Sequence, residues 1–258
     1  MNYIGIDIGS TCAKTVVLNE KEEIIQEFVQ PTGWSSIDTA EEILQKLKLA
    51  GINLSDDSSC CVATGYGRIS VPYADKAVTE ITCHALGAVH LFHQPDLTVI
   101  DIGGQDTKII QIEQGFVKDF IMNDKCAAGT GRFLEVMANT LSLRPNEMFD
   151  LARLGSDTTI SSMCTVFAES EVIGLIGKGE PKENIAYAVV DSTIRKVAAQ
   201  VSRMNGEMST FCLTGGLCEC EYIREALSKK LGKEVISSPD ARYAGAIGAA
   251  LSAMKIRK

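Results

Sequence analysis

The chain lacks any apolar run that approaches the roughly 18 residues needed to span a bilayer. Its first residues already show a strand pattern, with no signal peptide before them, so we expect a cytoplasmic protein without a membrane anchor. Positive charge is also scarce, since 25 Lys and Arg face 33 Asp and Glu, for a formal net charge of −8. Nucleic acid is therefore not an expected partner, because non-specific binding to it needs a basic face.

Three common catalytic motifs are absent. The pair Gly177-Lys178 is followed by Gly179, where a P-loop needs Ser or Thr, and no glycine stands five residues before Gly177. There is no Gly-x-Ser-x-Gly elbow and no His-Glu-x-x-His zinc motif. These absences exclude P-loop nucleotide binding, the serine-hydrolase elbow and this class of zinc hydrolase.

Histidine is nearly absent as well, with three residues in 258. His84 and His90 lie on a predicted helix over residues 79–92. We find no second imidazole or carboxylate at ligand spacing beside them, and a lone helix histidine is more often packed than catalytic. Both are therefore interpreted as structural.

Cysteine, in contrast, is abundant. An odd count of nine fits poorly with complete internal pairing, so thiols or metal ligands are the better interpretation in a cytoplasmic chain. Neither the pair Cys60-Cys61 nor the pair Cys218 and Cys220 has the two-residue gap of common metal clips, which favours structural or incidental roles. A length of 258 residues with 45% hydrophobic content indicates one large domain or two closely joined ones.

An internal duplication is the most informative structural feature. Residues 2–18 form two apolar strand runs around a small-residue turn, and residues 97–110 repeat this pattern. At one constant offset, Asp7 matches Asp101, Gly9 matches Gly103 and Lys14 matches Lys108. Two similar α/β halves, each with a glycine turn and an aspartate, can close around one polyphosphate and its metal.

The turns have the chemistry of anion binding, because small residues let backbone N–H groups approach an anion closely. Asp7 stands where a hydrated Mg²⁺ can bind, and Lys14 can meet a phosphate as a point charge. A third turn, Gly215-Gly216, follows a strand and precedes a predicted helix over 221–231, so it could lie flat against a nucleoside. The phosphate-binding candidates are Gly9, Ser10, Thr11, Cys12, Ala13, Lys14, Gly103, Gly104 and Gln105.

Two cysteines stand where a loop leads into a helix. Cys126 follows a predicted strand over 116–122 and precedes a predicted helix over 133–141, and Cys164 precedes an apolar helix that runs to about residue 176. A nearby helix N-terminus favours a thiolate or an anionic cluster. Two thiolates cannot complete a four-ligand site, but a symmetric dimer brings four together. The alternative is that both are small buried hydrophobic residues.

The two aspartate–glycine hairpins and the turn at Gly215 resemble the ATPase superfamily of actin, the Hsp70 chaperones and the sugar kinases. The stretches 123–133 and 164–171 look like those of the activators of 2-hydroxyacyl-CoA dehydratases and the ATP-driven subunits of benzoyl-CoA reductase. Residues 63–68 and 101–106 fit the same family. The resemblance covers essentially the whole chain, except that Cys218, Glu219 and Cys220 replace the small residue and amide usual after the glycine pair.

This resemblance implies a duplicated ribonuclease-H-like α/β fold with two lobes around a nucleotide cleft. Residues 1–94, completed by a C-terminal helix over 241–258, would form the first lobe, and residues 95–240 the second. It also implies a homodimer that shares one 4Fe–4S cluster through Cys126 and Cys164. An electron would come from ferredoxin or flavodoxin, and ATP hydrolysis would drive it to a partner iron–sulfur dehydratase or reductase.

The corresponding mechanistic hypothesis is that Asp7 and Asp101 hold Mg²⁺ through water. Either Gln105 or Asp106 would orient the attacking water, and no covalent nucleophile is required. Two alternatives remain within the same fold: a small-molecule kinase, and a regulatory ATPase without redox activity whose cysteines are merely buried. The sequence does not identify the acceptor enzyme or its substrate.

Overall fold

The structure is a computed structural model that describes residues 1–54, 58–162, 164–204 and 210–257. Met163, next to Cys164 in the sequence, and Ser209, six residues before Gly215, lie outside the described residues, as does Lys258 of the predicted C-terminal helix. The chain divides into two compact units. The first comprises Met1–Leu97, Ile110–Lys118 and Asp240–Lys258, and the second comprises Thr98–Ile109 and Asp119–Pro239.

The first sheet contains five strands in the order β3-β2-β1-β4-β5. Its strands are β1 (Asn2–Ile8), β2 (Cys12–Leu18), β3 (Ile24–Pro31), β4 (Ser59–Thr64) and β5 (Lys76–Ala77). The central strand β1 is antiparallel to β2 and parallel to β4. Both β1 and β4 are almost entirely buried, as expected for apolar strands covered on both faces.

The second sheet repeats this arrangement. Its strands are β6 (Leu97–Ile102), β7 (Thr107–Glu113), β8 (Phe116–Asn123), β9 (Thr210–Gly215) and β10 (Val235–Ile236), in the order β10-β9-β6-β7-β8. When β6 to β10 are matched in chain order to β1 to β5, the second sheet has the same strand order as the first, read from the opposite edge. The predicted duplication of an α/β unit is therefore confirmed.

Eight α-helices accompany the sheets in the described part of the chain. They are α1 (Ser36–Leu49), α2 (Glu80–Phe92), α3 (Gly131–Thr140), α4 (Pro145–Ala152), α5 (Thr165–Gly177), α6 (Lys182–Val201), α7 (Glu221–Leu231) and α8 (Ala244–Arg257). Two short 3-10 turns cover Arg68–Ser70 and Pro239–Tyr243. Within the described ranges, no helix combines the length and the apolar character needed to cross a membrane.

Glycines allow α8 to pack directly on the backbone of its neighbours. A Cβ added at Gly5 of β1 would lie 1.9 Å from the Ala246 carbonyl oxygen, and one at Gly248 would lie 1.8 Å from that of Cys83. Any side chain at these positions would displace the helix, because real Cβ atoms do not approach that closely. This packing holds the start of α8 against the carboxyl end of β1, where Asp7 lies.

Candidate functional site

The same backbone hydrogen bond forms across each of the two predicted glycine turns. The Gly9 N–H donates to the Cys12 carbonyl oxygen at 3.1 Å, and the Gly103 N–H donates to the Asp106 carbonyl oxygen at 2.9 Å. Among the candidate phosphate contacts, Thr11 and Gln105 are exposed, Ala13 is buried, and Gly9, Ser10, Cys12, Lys14, Gly103 and Gly104 are half-buried. The tip of each turn is therefore accessible, while its flanking strands anchor it in a buried sheet.

Asp7 lies at the carboxyl end of β1 in a space that two glycines create. A Cβ at Gly65 would lie 2.5 Å from Asp7 Oδ1, and a Cβ at Gly245 would lie 2.6 Å from Asp7 Oδ2. The carboxylate is 3% exposed. Larger residues at either glycine would collide with it, so the fold reserves this position for a carboxylate and its close partners.

The sequence-based interpretation of His84 as a histidine without a carboxylate partner is wrong. His84 Nε2 lies 3.7 Å from Glu80 Oε1, one turn earlier on α2, and 4.0 Å from Asp7 Oδ2. His84 is buried, and Glu80 is half-buried. The four-residue spacing on one helix face could have revealed the pair with Glu80, because residues at i and i+4 are neighbours. The approach to Asp7 depends on the packing of α2 against α8, which in turn packs on β1.

Asp101 lies at the end of β6, in the position that matches Asp7. Its Oδ1 accepts a 2.8 Å hydrogen bond from the Thr214 hydroxyl, and its Oδ2 lies 3.3 Å from Lys108 Nζ. Lys108 also reaches Asp106 Oδ1 at 2.8 Å, and it is 1% exposed. A buried ammonium between two carboxylates is a tight structural unit, since loss of one partner would leave uncompensated buried charge.

The two candidates for orienting water differ in accessibility. Asp106 is 6% exposed, and its carboxylate already binds Lys108. A Cβ at Gly103 would lie 2.4 Å from Asp106 Oδ1, so this carboxylate also packs against the turn. Gln105, in contrast, is exposed at the tip. The geometry favours Gln105 as the residue that can reach a bound ligand.

The third glycine turn lies at the end of β9. Gly215 has φ +85°, and a Cβ there would lie 2.5 Å from the Ile102 carbonyl oxygen, so glycine is required at this position. Gly216 is exposed, with open space where its side chain would be. Beyond it, Cys218 is buried, whereas Cys220 is half-buried at the start of α7, where burial raises the pKa of its thiol.

Cys126 lies in the loop between β8 and α3 and is half-buried. The Asn123 side-chain amide donates to the carbonyl oxygens of Cys126 at 2.8 Å and of Ala128 at 3.0 Å. The N-cap residue of α3 is Thr130. Cys126 therefore precedes the helix by a short loop, as predicted, and the helix begins at Gly131, two residues earlier than the predicted start at 133.

Cys164 occupies the N-cap position of α5 and is exposed. Hydrogen bonds connect the loop before Cys164 to helices α5 and α6. Glu171 of α5 accepts hydrogen bonds from the N–H groups of Ser161 at 3.0 Å and Ser162 at 3.1 Å. Burial raises the pKa of the Glu171 carboxyl, but these hydrogen bonds outweigh it and hold the pKa below its usual value. Arg195 of α6 donates to the Ile160 carbonyl oxygen at 3.0 Å.

Both cysteine loops line one cavity of about 250 Å³ in the second unit. The loop of Cys126 contributes Ala128 and Gly129, the loop of Cys164 contributes residues 160–162, and α6 contributes Arg195 and Lys196. Tertiary structure thus brings the two predicted ligand loops next to each other, although they are far apart in sequence.

The nine cysteines should differ strongly in reactivity toward iodoacetamide in metal-free native protein. Burial raises the pKa of the Cys83 thiol from 9.0 to about 12, which lowers its thiolate fraction about a thousandfold. Burial also raises the pKa of Cys61 and Cys212. Mass spectrometry should detect modification first at exposed Cys164, and at Cys61, Cys83 and Cys212 only after denaturation. Equal labelling of Cys83 and Cys164 in native protein would contradict this assignment.

Duplicated sheets, each with a glycine turn and a buried aspartate at the end of its first strand, define the fold of the actin, Hsp70 and sugar-kinase class. A ROK family glucokinase from Streptomyces griseus, in complex with glucose and AMPPNP, has the same fold, with TM-score 0.61 over 99% of this chain and 100% of that chain. Its identity is 17%, so the likeness concerns the fold alone.

The chain can also be assigned to one family within this fold class. Residues 4–253 match the BadF/BadG/BcrA/BcrD ATPase family, and the chain belongs to it. It is 44% identical to the (R)-2-hydroxyglutaryl-CoA dehydratase activating ATPase of Acidaminococcus fermentans, over 98% of this chain and 96% of the relative. It is 40% identical to the activator of lactoyl-CoA dehydratase of Anaerotignum propionicum, over 98% and 97%. The family resemblance found in the sequence is therefore confirmed.

Two solved structures agree with this assignment. The component A of (R)-2-hydroxyglutaryl-CoA dehydratase from Acidaminococcus fermentans aligns with TM-score 0.91 and 41% identity, over 99% of this chain and 98% of that chain. The activator of 2-hydroxyisocaproyl-CoA dehydratase from Clostridium difficile, with bound ADPNP, aligns with TM-score 0.90 and 35% identity, over 99% and 95%.

Proposed function

We propose that this ATPase activates an iron–sulfur enzyme by delivering one electron at low potential. The donor would be ferredoxin or flavodoxin, and the acceptor a 2-hydroxyacyl-CoA dehydratase, a benzoyl-CoA reductase or a related iron–sulfur reductase. The named activities of the similar proteins support this class of acceptor. Because all nine cysteines are free, a reducing cytoplasmic setting fits the chain.

The glycine turns supply the proposed phosphate site. Backbone N–H groups at the accessible tips, around Ser10 and Gly104, would donate to phosphate oxygens, with Lys14 as a nearby cation. Lys14 lies opposite Asp7 in the register of β1 and β2. The exposed backbone at Gly216 suits a flat approach by adenosine, because no side chain occupies that space.

Carboxylates supply the proposed Mg²⁺ site. Asp7 and Asp101 would hold the ion through water, and Glu80, which lies beside His84 near Asp7, adds a further acceptor for an ordered water. Bound Mg²⁺ would neutralise charge on the transferred phosphoryl group. Gln105 would orient the attacking water, since its side chain is exposed whereas Asp106 is held by Lys108.

The arrangement of the two cysteines fits a cluster shared by two copies of the chain. Their loops line a common cavity, and a 4Fe–4S centre needs four thiolates, so two subunits would each contribute Cys126 and Cys164. The cluster would supply one-electron redox chemistry. Helix α5, which begins beside Cys164, carries exposed apolar residues that a second copy could cover. These are Val166, Phe167, Ile173 and Ile176.

A direct connection between the phosphate turn and the cluster loop carries this proposal. The Gly131 N–H donates to the Gly103 carbonyl oxygen at 2.9 Å, and the Arg132 N–H donates to that of Gly104 at 2.8 Å. Movement of the turn on nucleotide binding or hydrolysis would therefore move the start of α3 and the loop of Cys126. Exposure and hydrogen bonding of a cluster are two determinants of its potential, so nucleotide state would alter electron transfer.

Purification without oxygen tests the proposed function. We expect about four iron and four acid-labile sulfide per dimer, together with Mg²⁺-dependent ATP hydrolysis and reduction of the cluster by ferredoxin or flavodoxin. Absence of iron after reconstitution, with hydrolysis retained, would overturn the redox assignment and leave a two-unit ATPase without electron transfer.

A further inference from the structure

We propose that the Thr107 hydroxyl is a positioning group that couples the glycine turn at 103–106 to the loop of Cys126. This inference rests on the proposed function and assigns one side-chain contribution to the coupling, beside the main-chain bonds of Gly131 and Arg132. Thr107 is the first residue of β7 and directly follows the turn. It is 0% exposed, and its Oγ1 donates to the Gly129 carbonyl oxygen at 2.6 Å.

Gly129 lies in a tightly restrained part of the Cys126 loop. It adopts φ +83°, and a Cβ there would lie 2.8 Å from Lys196 Cγ, so the stem of Lys196 packs closely against it. Six residues before Gly129, the Asn123 side-chain amide donates to the carbonyl oxygens of Cys126 and Ala128. A short loop restrained at several points moves as a unit, so displacement of Gly129 would also displace Cys126.

A comparison of the two duplicated halves shows that the contact of the Thr107 hydroxyl belongs to the second half only. Ala13 occupies the position of Thr107 in the first half, where the loop after the third strand contains no cysteine. There, Thr32 anchors the turn instead, with its N–H donating to the Thr11 carbonyl oxygen at 2.9 Å and its hydroxyl to that of Gly9 at 2.7 Å. A hydroxyl at the start of the second hairpin strand is therefore present in the half that contains Cys126 and Cys164, and is absent from the other half.

The contact can also be removed without changing the backbone. The bonds from Gly131 and Arg132 to the turn are formed by main-chain groups, whereas that of Thr107 is formed by a side chain. Valine has nearly the shape of threonine without the hydroxyl, and serine retains the hydroxyl without the methyl group. The pair Thr107→Val and Thr107→Ser thus separates hydrogen bonding from packing.

Thr98 offers a matched control. It lies on β6, is 0% exposed, and its hydroxyl has no hydrogen-bond partner among the described residues. Thr98→Val makes the same chemical change in the same sheet without affecting the loop of Cys126. Any general effect of replacing a buried threonine by valine would appear in both variants.

The test measures how nucleotide controls access to the cluster. Anaerobically purified dimers are mixed with a ferrous chelator, with Mg-ADP or with the non-hydrolysable Mg-ADPNP, and the ratio of the two iron-release rates is determined for each protein. We expect a ratio different from one in the wild type, Thr107→Ser and Thr98→Val. In Thr107→Val, which keeps the main-chain bonds from Gly131 and Arg132, we expect a ratio clearly closer to one than in the wild type. Bound iron and ATP hydrolysis should persist in Thr107→Val.

A wild-type ratio in Thr107→Val would overturn this inference alone. Because each ratio compares two nucleotide states of the same folded, iron-loaded protein, a modest loss of stability does not alter the conclusion. If Thr107→Val binds too little iron to measure, Thr107→Ala provides the second hydroxyl-free variant, and retention of the wild-type ratio there is equally decisive. No iron in the wild type would overturn the proposed function itself, and iron without any nucleotide response would overturn the coupling.

Discussion

Cys126→Ala is expected to remove essentially all cluster iron from the dimer. Each subunit would lose one of its two thiolates, so a four-ligand site would retain only two. Iron and acid-labile sulfide should fall from about four each per dimer to near zero, and the visible absorption of the cluster should vanish. Cys164→Ala should have the same effect, because the two loops line one cavity.

Cys220→Ala is the matched control for this prediction. Cys220 is half-buried, like Cys126, and it stands at a helix N-cap, like Cys164. Full iron in Cys220→Ala, combined with loss in the other two variants, would support Cys126 and Cys164 as the ligands. Iron loss in Cys220→Ala would instead indicate a ligand role for the thiols after Gly216, and full iron in Cys126→Ala would contradict the shared site.

Asp7→Asn is expected to reduce ATP hydrolysis by about 100-fold or more while leaving the iron bound. The substitution keeps the size of the side chain between Gly65 and Gly245 but removes the negative charge proposed to hold Mg²⁺, and loss of one strong electrostatic contact commonly costs this much in rate. Steady-state phosphate release and iron content, measured on the same preparation, test both parts.

The two readouts also separate local from global effects. A thermal unfolding curve close to that of the wild type would show that the buried position tolerates the amide. Loss of iron in a folded Asp7→Asn protein would mean that nucleotide and cluster functions are not divided as proposed. Unchanged hydrolysis would remove Asp7 from the Mg²⁺ site.

Much of the local structure follows from short-range sequence signals. The helix predicted over 221–231 coincides with α7. The short apolar run over 59–64 is typical of a buried strand, and it forms β4. Either Ser35 or Ser36 is expected to cap α1, and Ser35 takes this role, because its side chain accepts the Asp38 N–H at 3.2 Å. Capping, apolar periodicity and glycine breaks act within a few residues, so each can be recognised without knowledge of the tertiary structure.

Packing decided other local features. Helix α4 was not predicted, although Pro145 stands at its first position, because an eight-residue helix carries a weak periodic signal. Apolar periodicity predicts that Ile37, Ala40, Ile43 and Leu47 share the buried face of α1, but Ile37 is exposed, whereas the other three are buried. A helix buries the side that its neighbours cover, and this side need not include every apolar residue.

The candidate site shows the same division. The sequence by itself determined the duplicated hairpins, the aspartate at the end of each first strand, the small-residue turns and the two cysteine stretches, because these patterns are contiguous. Only the tertiary structure placed Lys108 between Asp101 and Asp106, His84 near Asp7, and Thr107 against Gly129. Such contacts depend on how sheets and helices pack residues that are distant along the chain, which no local periodicity or spacing specifies.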